Sequence, residues 1–157
     1  MRIETRTGDE PDLLALVTAQ QAELRAAERA SDAIDGYQPL HGDIRFLVLM
    51  IDDDVIACGG LRRIDERTVE IKRMYVRPEW RGDGYGRVML AALEERAAAA
   101  GYTVARLETG SYLPVALSLY RKAGYRPIPT YGEYVDNPFS RCFEKSIQAP
   151  AATPAGR

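Results

Sequence analysis

Along this chain, polar and apolar positions alternate in some stretches, recur every three to four residues in others, and elsewhere run together; each pattern predicts an element. Residues 2–6 (R-I-E-T-R) alternate and predict a short first strand. Asp9, Glu10, Pro11 and Asp12 open a helix, since acidic residues and proline favour a first turn. Leu13, Leu16, Val17, Gln20 and Leu24 follow at helical spacing, and the helix runs to about Ala30. The polar stretch 32–42 reads as a mobile loop. Arg45 to Ile51 is apolar enough for a buried strand, Asp52-Asp53-Asp54 is a tight turn, and Val55 to Arg63 returns as a hairpin. The three aspartates read as a solvated turn, because a calcium loop needs a wider D-x-D-x-D-G spacing.

Thr68 to Val76 predicts another strand, with Val69, Ile71, Arg73 and Tyr75 on one face and Glu70, Lys72, Met74 and Val76 on the other. A turn-rich stretch from Arg77 to Tyr85 leads to a helix from about Gly84 to Ala100, stopped by Gly101. Tyr102 to Thr109 is a strand, Leu113 to Ala123 a helix stopped by Gly124, and Tyr125 and Arg141 open the last strands. Strand 68–76, the long helix and strand 102–109 form a right-handed βαβ unit, so these two strands are parallel. With the antiparallel hairpin before them, the fold class is α/β (α+β in some schemes): a mixed, mostly antiparallel sheet with one parallel pair. The 157 residues suit one domain over 1–147, with a disordered Ala/Pro-rich tail over 148–157.

Composition narrows the function. Apolar residues are 46% and charged residues 28%, which excludes a mostly disordered chain. The net charge of −2, from 21 basic and 23 acidic residues, gives no footprint for nucleic acid. The longest strongly apolar run, Phe46 to Ile51, is too short to cross a bilayer, and the first ten residues hold no secretory apolar segment, so a soluble cytoplasmic protein without membrane contact is expected. His41 is the only histidine, which argues against a metal site. Cys58 and Cys142 stand 84 residues apart and read as two buried free thiols.

The most informative segment is Arg81-Gly82-Asp83-Gly84-Tyr85-Gly86-Arg87, between a strand and a helix. Three glycines free the backbone for a close ligand approach, and the helix N-terminus offers unpaired N–H groups to an anion. This fits a phosphate or diphosphate, or else a plain glycine-rich turn. A Walker loop would end in G-K-S/T, and the dinucleotide fingerprint would read G-x-G-x-x-G at the first βα turn; neither matches.

Arg81-x-x-Gly84-x-Gly86 resembles the acyl-CoA signature Q/R-x-x-G-x-G/A of the GNAT superfamily of N-acetyltransferases. Ala116 to Tyr125 resembles that superfamily's later A-x-x-x-Y-x-x-x-G-F/Y block. Tyr131 to Lys145 resembles a bacterial subgroup mostly without assigned substrates. One position departs: where the family usually has an asparagine that helps hold the pantetheine arm, this chain has Leu113. The resemblance implies a GNAT-like acyl-CoA N-acyltransferase fold and direct transfer of acetyl from acetyl-CoA to a primary amine, most simply of a small molecule. No metal is implied.

It places the cofactor on the backbone of Met74, Tyr75 and Val76 and on the loop Arg81, Gly82, Asp83, Gly84, Tyr85, Gly86 and Arg87. The Met74 N–H would face the thioester carbonyl. Glu70 stands where members with a glutamate base carry it, and Glu108 is the second candidate. Tyr120 sits where the family places a proton donor to the departing thiolate. Tyr131, Tyr134, Asn137 and Ser140 would border the acceptor pocket, and Trp80 caps the core. The alternatives are a protein lysine or N-terminal acetyltransferase, with Asp32, Asp35, Glu133 and Asp136 forming an acidic groove for a peptide, and a non-catalytic acyl-CoA-binding module. A homodimer is a further expectation, since dimers are common among relatives.

Overall fold

Two runs, Arg45–Ile51 and Asp54–Arg63, are buried along almost their whole length, which requires cover on both faces of a sheet. The structure, a computed structural model, describes residues 1–31 and 43–148 and shows that cover. The elements are β1 (Arg2–Arg6), α1 (Pro11–Ala30), β2 (Arg45–Ile51), β3 (Asp54–Arg63), β4 (Thr68–Val76), α2 (Tyr85–Ala99), β5 (Val104–Gly110), α3 (Pro114–Lys122), β6 (Arg126–Ile128) and β7 (Ser140–Ser146). They form one seven-stranded sheet in the order β1-β2-β3-β4-β5-β7-β6. The pair β4–β5 is parallel and every other pair antiparallel. The mixed sheet expected from the sequence is present.

On one face α1 buries Leu13, Leu16 and Val17 against Phe46, Val48, Cys58 and Tyr75. On the other, α2 buries Met89, Leu90 and Leu93 against Leu49, Ile56, Val69 and Ile71, with Tyr120 of α3 in the same cluster. Each such side chain contributes about 1.5–3 kcal/mol on leaving water. Trp80 packs at the edge of that cluster, its ring 6.0 Å from that of Tyr85. Both cysteines are buried and free. No helix among the described residues is long and apolar enough to cross a membrane. The loop expected over 32–42, with His41, Asp32 and Asp35, lies outside the described residues, as does the tail from 149 onward.

One expectation is corrected. Strict alternation through β4 puts Met74 on the face of Glu70. In the structure Arg73 adopts a left-handed conformation, φ 59°, and the register against β3 slips: Gly60 faces Lys72, but Cys58 faces Tyr75. The extra residue is a β-bulge, and it inverts the side-chain alternation. Met74 and Val76 therefore join Val69 and Ile71 on the α2 face, while Tyr75 turns to α1.

Candidate active site

The bulge also parts two strands. Pairing of β4 with β5 runs from Thr68↔Val104 to Ile71↔Leu107 and then stops. Beyond it a cleft of about 180 Å³ opens, walled by Gln20, Gln21 and Arg25 of α1, by Lys72 to Met74, by Glu108 to Gly110, and by Leu113, Ala116 and Tyr120. Tyr134 and Asn137 close one side. Arg77 donates its N–H to Ile56 of β3 at 2.9 Å, so the alternating peptide groups of Met74 and Val76 point away from β3, toward the gap. Their carbonyls are held there by side chains: Met74 O accepts from Gln20 Nε2 at 2.7 Å, and Val76 O from Arg81 Nε at 2.9 Å.

The glycine loop follows the end of β4, where a Cβ at Gly86 would meet Leu119 and Val76. Gly82 and Gly84 have φ of 92° and 85°, which side-chain-bearing residues rarely adopt, and a Cβ at either would meet nothing within 4 Å. Gly84 precedes α2, whose first turn has no side-chain cap. The loop thus presents uncapped N–H groups to open space, as an anionic diphosphate requires. The Arg81 side chain turns toward α1. Its guanidinium is paired with Glu23 of α1 at 2.8 and 3.0 Å and lies 5.3 Å from the Tyr75 ring centroid. That pairing lowers the Glu23 pKa, and the Tyr75 hydroxyl donates to the same carboxylate at 3.1 Å.

The two carboxylates proposed from sequence have different surroundings. Glu70 is 2% exposed. Its Oε2 accepts from the Tyr131 hydroxyl at 2.6 Å, and its Oε1 lies 3.4 Å from Lys72 Nζ. Lys72 also reaches Glu133 Oε1 at 3.3 Å and donates to the Tyr134 hydroxyl at 3.1 Å. Burial first, and the Glu70 charge second, push the Tyr131 pKa well up. Glu70 lines a recess with Arg62, Tyr131 and Glu133 rather than the cleft. Glu108 does line the cleft. Burial raises its pKa, against the opposing effects of Ser140, whose hydroxyl donates to Oε2 at 2.5 Å, and of the Lys72 charge.

Tyr120, also in the cleft wall, is buried, and its pKa is pushed up to about 12 by desolvation and then by the Glu108 charge. Asn137 lines the cleft while its side-chain oxygen accepts the Phe139 N–H at 2.9 Å. Among the acids of the expected peptide groove, Glu133 is committed to Lys72 and lies 4.0 Å from Arg62. The structure adds Gln20 to the site. Its only signal in the sequence was a polar residue in an apolar helical stripe.

The family model for GNAT acetyltransferases matches residues 13–125. The chain belongs to the GNAT family. A protein named IAA acetyltransferase from Azospirillum brasilense is 40% identical over 106 residues, 67% of this chain and 69% of that one. YsnE, an uncharacterized N-acetyltransferase of Bacillus subtilis (strain 168), is 30% identical over 115 residues, 71% and 76% of the two chains. A crystal structure from Klebsiella pneumoniae, of a protein proposed to be an acyl-CoA N-acyltransferase, superposes with a TM-score of 0.80 at 27% identity, covering 93% of this chain and 97% of that one. A GNAT acetyltransferase from Elizabethkingia anophelis with acetyl-CoA bound shares the fold, with a TM-score of 0.69 at 18% identity over 93% and 97% of the chains. As a GNAT protein this chain is an acetyl-CoA-dependent N-acetyltransferase.

Proposed function

We propose that the protein moves an acetyl group directly from acetyl-CoA to the primary amine of a small molecule in the cleft between β4 and β5. The single folded unit over residues 1–147 supplies the groups. The observation that carries this reading is that Met74, Glu108 and Tyr120 all wall one cleft where the strands part, with the glycine loop following the end of β4. The diphosphate would lie on the N–H groups from Gly82 to Arg87, since that of Arg81 donates to Pro78, and the pantetheine arm along the peptide edge of Met74 and Val76. The volume of about 180 Å³ suits a small acceptor, in line with a relative named for IAA.

An alkyl ammonium has a pKa near 10.4, so freeing its lone pair at pH 7 costs about 4.6 kcal/mol. Glu108 is the group placed to take that proton, because a carboxylate with a raised pKa is a better base than an exposed one. The amine lone pair then attacks the acetyl carbonyl carbon while the Met74 N–H steadies the developing oxyanion, a contact worth about 3–4 kcal/mol in comparable sites. The carbon–sulfur bond breaks, the electron pair leaves with the CoA thiolate, and the nitrogen gives up its remaining extra proton to that thiolate or to solvent as the amide forms. Glu70 holds Lys72 and Tyr131 beside the cleft.

The direct test is CoA release across a panel of amines, together with acetyl-CoA binding. At a hundred times its Kd, acetyl-CoA should add about 2.7 kcal/mol, or roughly 5–10 °C in Tm for a chain of this size. No shift at millimolar acetyl-CoA, with the chain folded, overturns the proposal.

Tyr120 is expected to assist the leaving thiolate without protonating it outright. With the tyrosine pKa near 12 and a thiol near 8.5, full transfer is uphill by roughly 5 kcal/mol. Tyr120→Phe should therefore lower turnover only about 10–100-fold, the scale of one hydrogen bond to a developing charge. The loss should shrink with an acyl donor whose thiol is more acidic. Equal losses for both donors would mean that the hydroxyl merely positions the cofactor.

A further inference from the structure

Gln20 occupies the middle of α1 and is 8% exposed. Its amide nitrogen donates to the Met74 carbonyl. A carbonyl oxygen only accepts, so this bond fixes the amide orientation: Nε2 faces β4, and Oε1 is the other terminal atom. Oε1 is sealed from solvent, and no described residue donates to it. Yet Gln20 lines the cleft with Met74, Glu108 and Tyr120. Beside it, Gln21 Nε2 is likewise buried without an acceptor among the described residues and lines the same cleft. A buried amide oxygen without a donor is costly in a folded protein and calls for a partner. The position of Gln20 on the cleft wall indicates that this partner is a ligand.

We propose that Gln20 is an acceptor-contacting residue: its Oε1 takes a hydrogen bond from the amino group of the acceptor as that group meets the acetyl carbonyl at Met74. This rests on the cleft being the acetyl-transfer site. Only an N–H or O–H donor satisfies the oxygen, which excludes an acceptor presenting a carboxylate at this point. The pantetheine arm also carries amide N–H groups. The amine is favoured because Glu108 stands in the same cleft wall. While Glu108 removes one proton, a neutral amide oxygen can hold a second N–H and aim the lone pair.

The test compares Gln20→Met, which keeps bulk and removes both polar atoms, with Gln20→Glu, which keeps acceptor oxygens and loses the donor to Met74. The acceptor is whichever of tyramine, spermidine and L-lysine the parent acetylates fastest. Acetyl-CoA affinity is measured by calorimetry and folding by Tm. Gln20→Met should raise the acceptor KM about 10–100-fold, with an acetyl-CoA Kd within about twofold of that of Gln20→Glu, since both variants lose the donor to Met74. Gln20→Glu should recover most of the acceptor affinity. A weaker acetyl-CoA Kd with an unchanged acceptor KM would assign the oxygen to the pantetheine amide and overturn the proposal. Equal KM losses in both variants would reduce Gln20 to a brace for Met74, also overturning it. If the parent binds no acetyl-CoA, the transferase reading itself fails, and that is visible before any variant is made.

Discussion

Glu108→Gln is expected to lower turnover by about 10²–10⁴-fold while leaving acetyl-CoA affinity nearly unchanged. The carboxylate must be ionised to take a proton, so kcat/KM of the parent should fall on the acid side as Glu108 protonates. Burial raises that pKa, which puts the acid limb above the usual carboxylate range near 4.3. The variant should lack the limb, and its deficit should narrow as pH rises toward the pKa of the amine, where free amine no longer needs a base. Folding is the necessary control. A carboxyl whose pKa rises on folding favours the native state less as pH climbs from its unfolded pKa through its folded one. Glutamine removes that dependence, so the variant should melt no lower than the parent at pH 8.

Glu70→Gln should behave differently. Its carboxylate pairs with Lys72 and accepts from Tyr131, so its loss should appear first as a lower Tm, by roughly 1–3 kcal/mol of stability, with a smaller loss of turnover. A larger turnover loss in Glu70→Gln than in Glu108→Gln, at unchanged Tm, would return the base to Glu70.

Gly84→Val should abolish acetyl-CoA binding, read as the disappearance of the ligand-induced Tm shift at millimolar acetyl-CoA. Two effects combine. At φ 85° a branched residue is strained by roughly 1–3 kcal/mol, and its side chain projects into open space that an incoming diphosphate would share. Gly101→Val separates them. Gly101 lies at the opposite end of α2 with φ 98° and has equally open surroundings, so that variant should lose similar stability and still bind acetyl-CoA. Binding retained in Gly84→Val would show that the diphosphate does not approach this glycine.

Local signals carried most of the architecture. The hairpin of β2 and β3, the glycine stops at Gly101 and Gly124, and the parallel pair around α2 follow from residue patterns within about 30 positions of one another. The glycine loop was legible because positive φ selects glycine. The bulge at Arg73 was not, because a left-handed arginine has no composition signal and is held by the register of β3 beside it. Nor was the insertion of β7 between β5 and β6, a pairing decided by edges far apart in sequence. The separation of Glu70 from the cleft depends on Tyr131, 61 residues later, and on Lys72 two residues along the same strand. Neither strand spacing nor propensity encodes such a closure. Gln20 could be placed on the buried side of α1 by periodicity, but its partner on β4 depends on how helix and sheet pack.

Between Cys58 and Gly60 β3 advances two residues while β4 advances three, from Lys72 to Tyr75. The cavity beside β5 is therefore made by counting. Substitutions along 72–76 change its lining, whereas deletion of one residue there would bring the two strands back into step. Met74 and Tyr75 would keep the faces they have, and β4 could continue its ladder with β5 past Ile71. The sheet would be more regular and the cleft would be gone. Length, at this one place, is as much a functional property as the identity of any side chain.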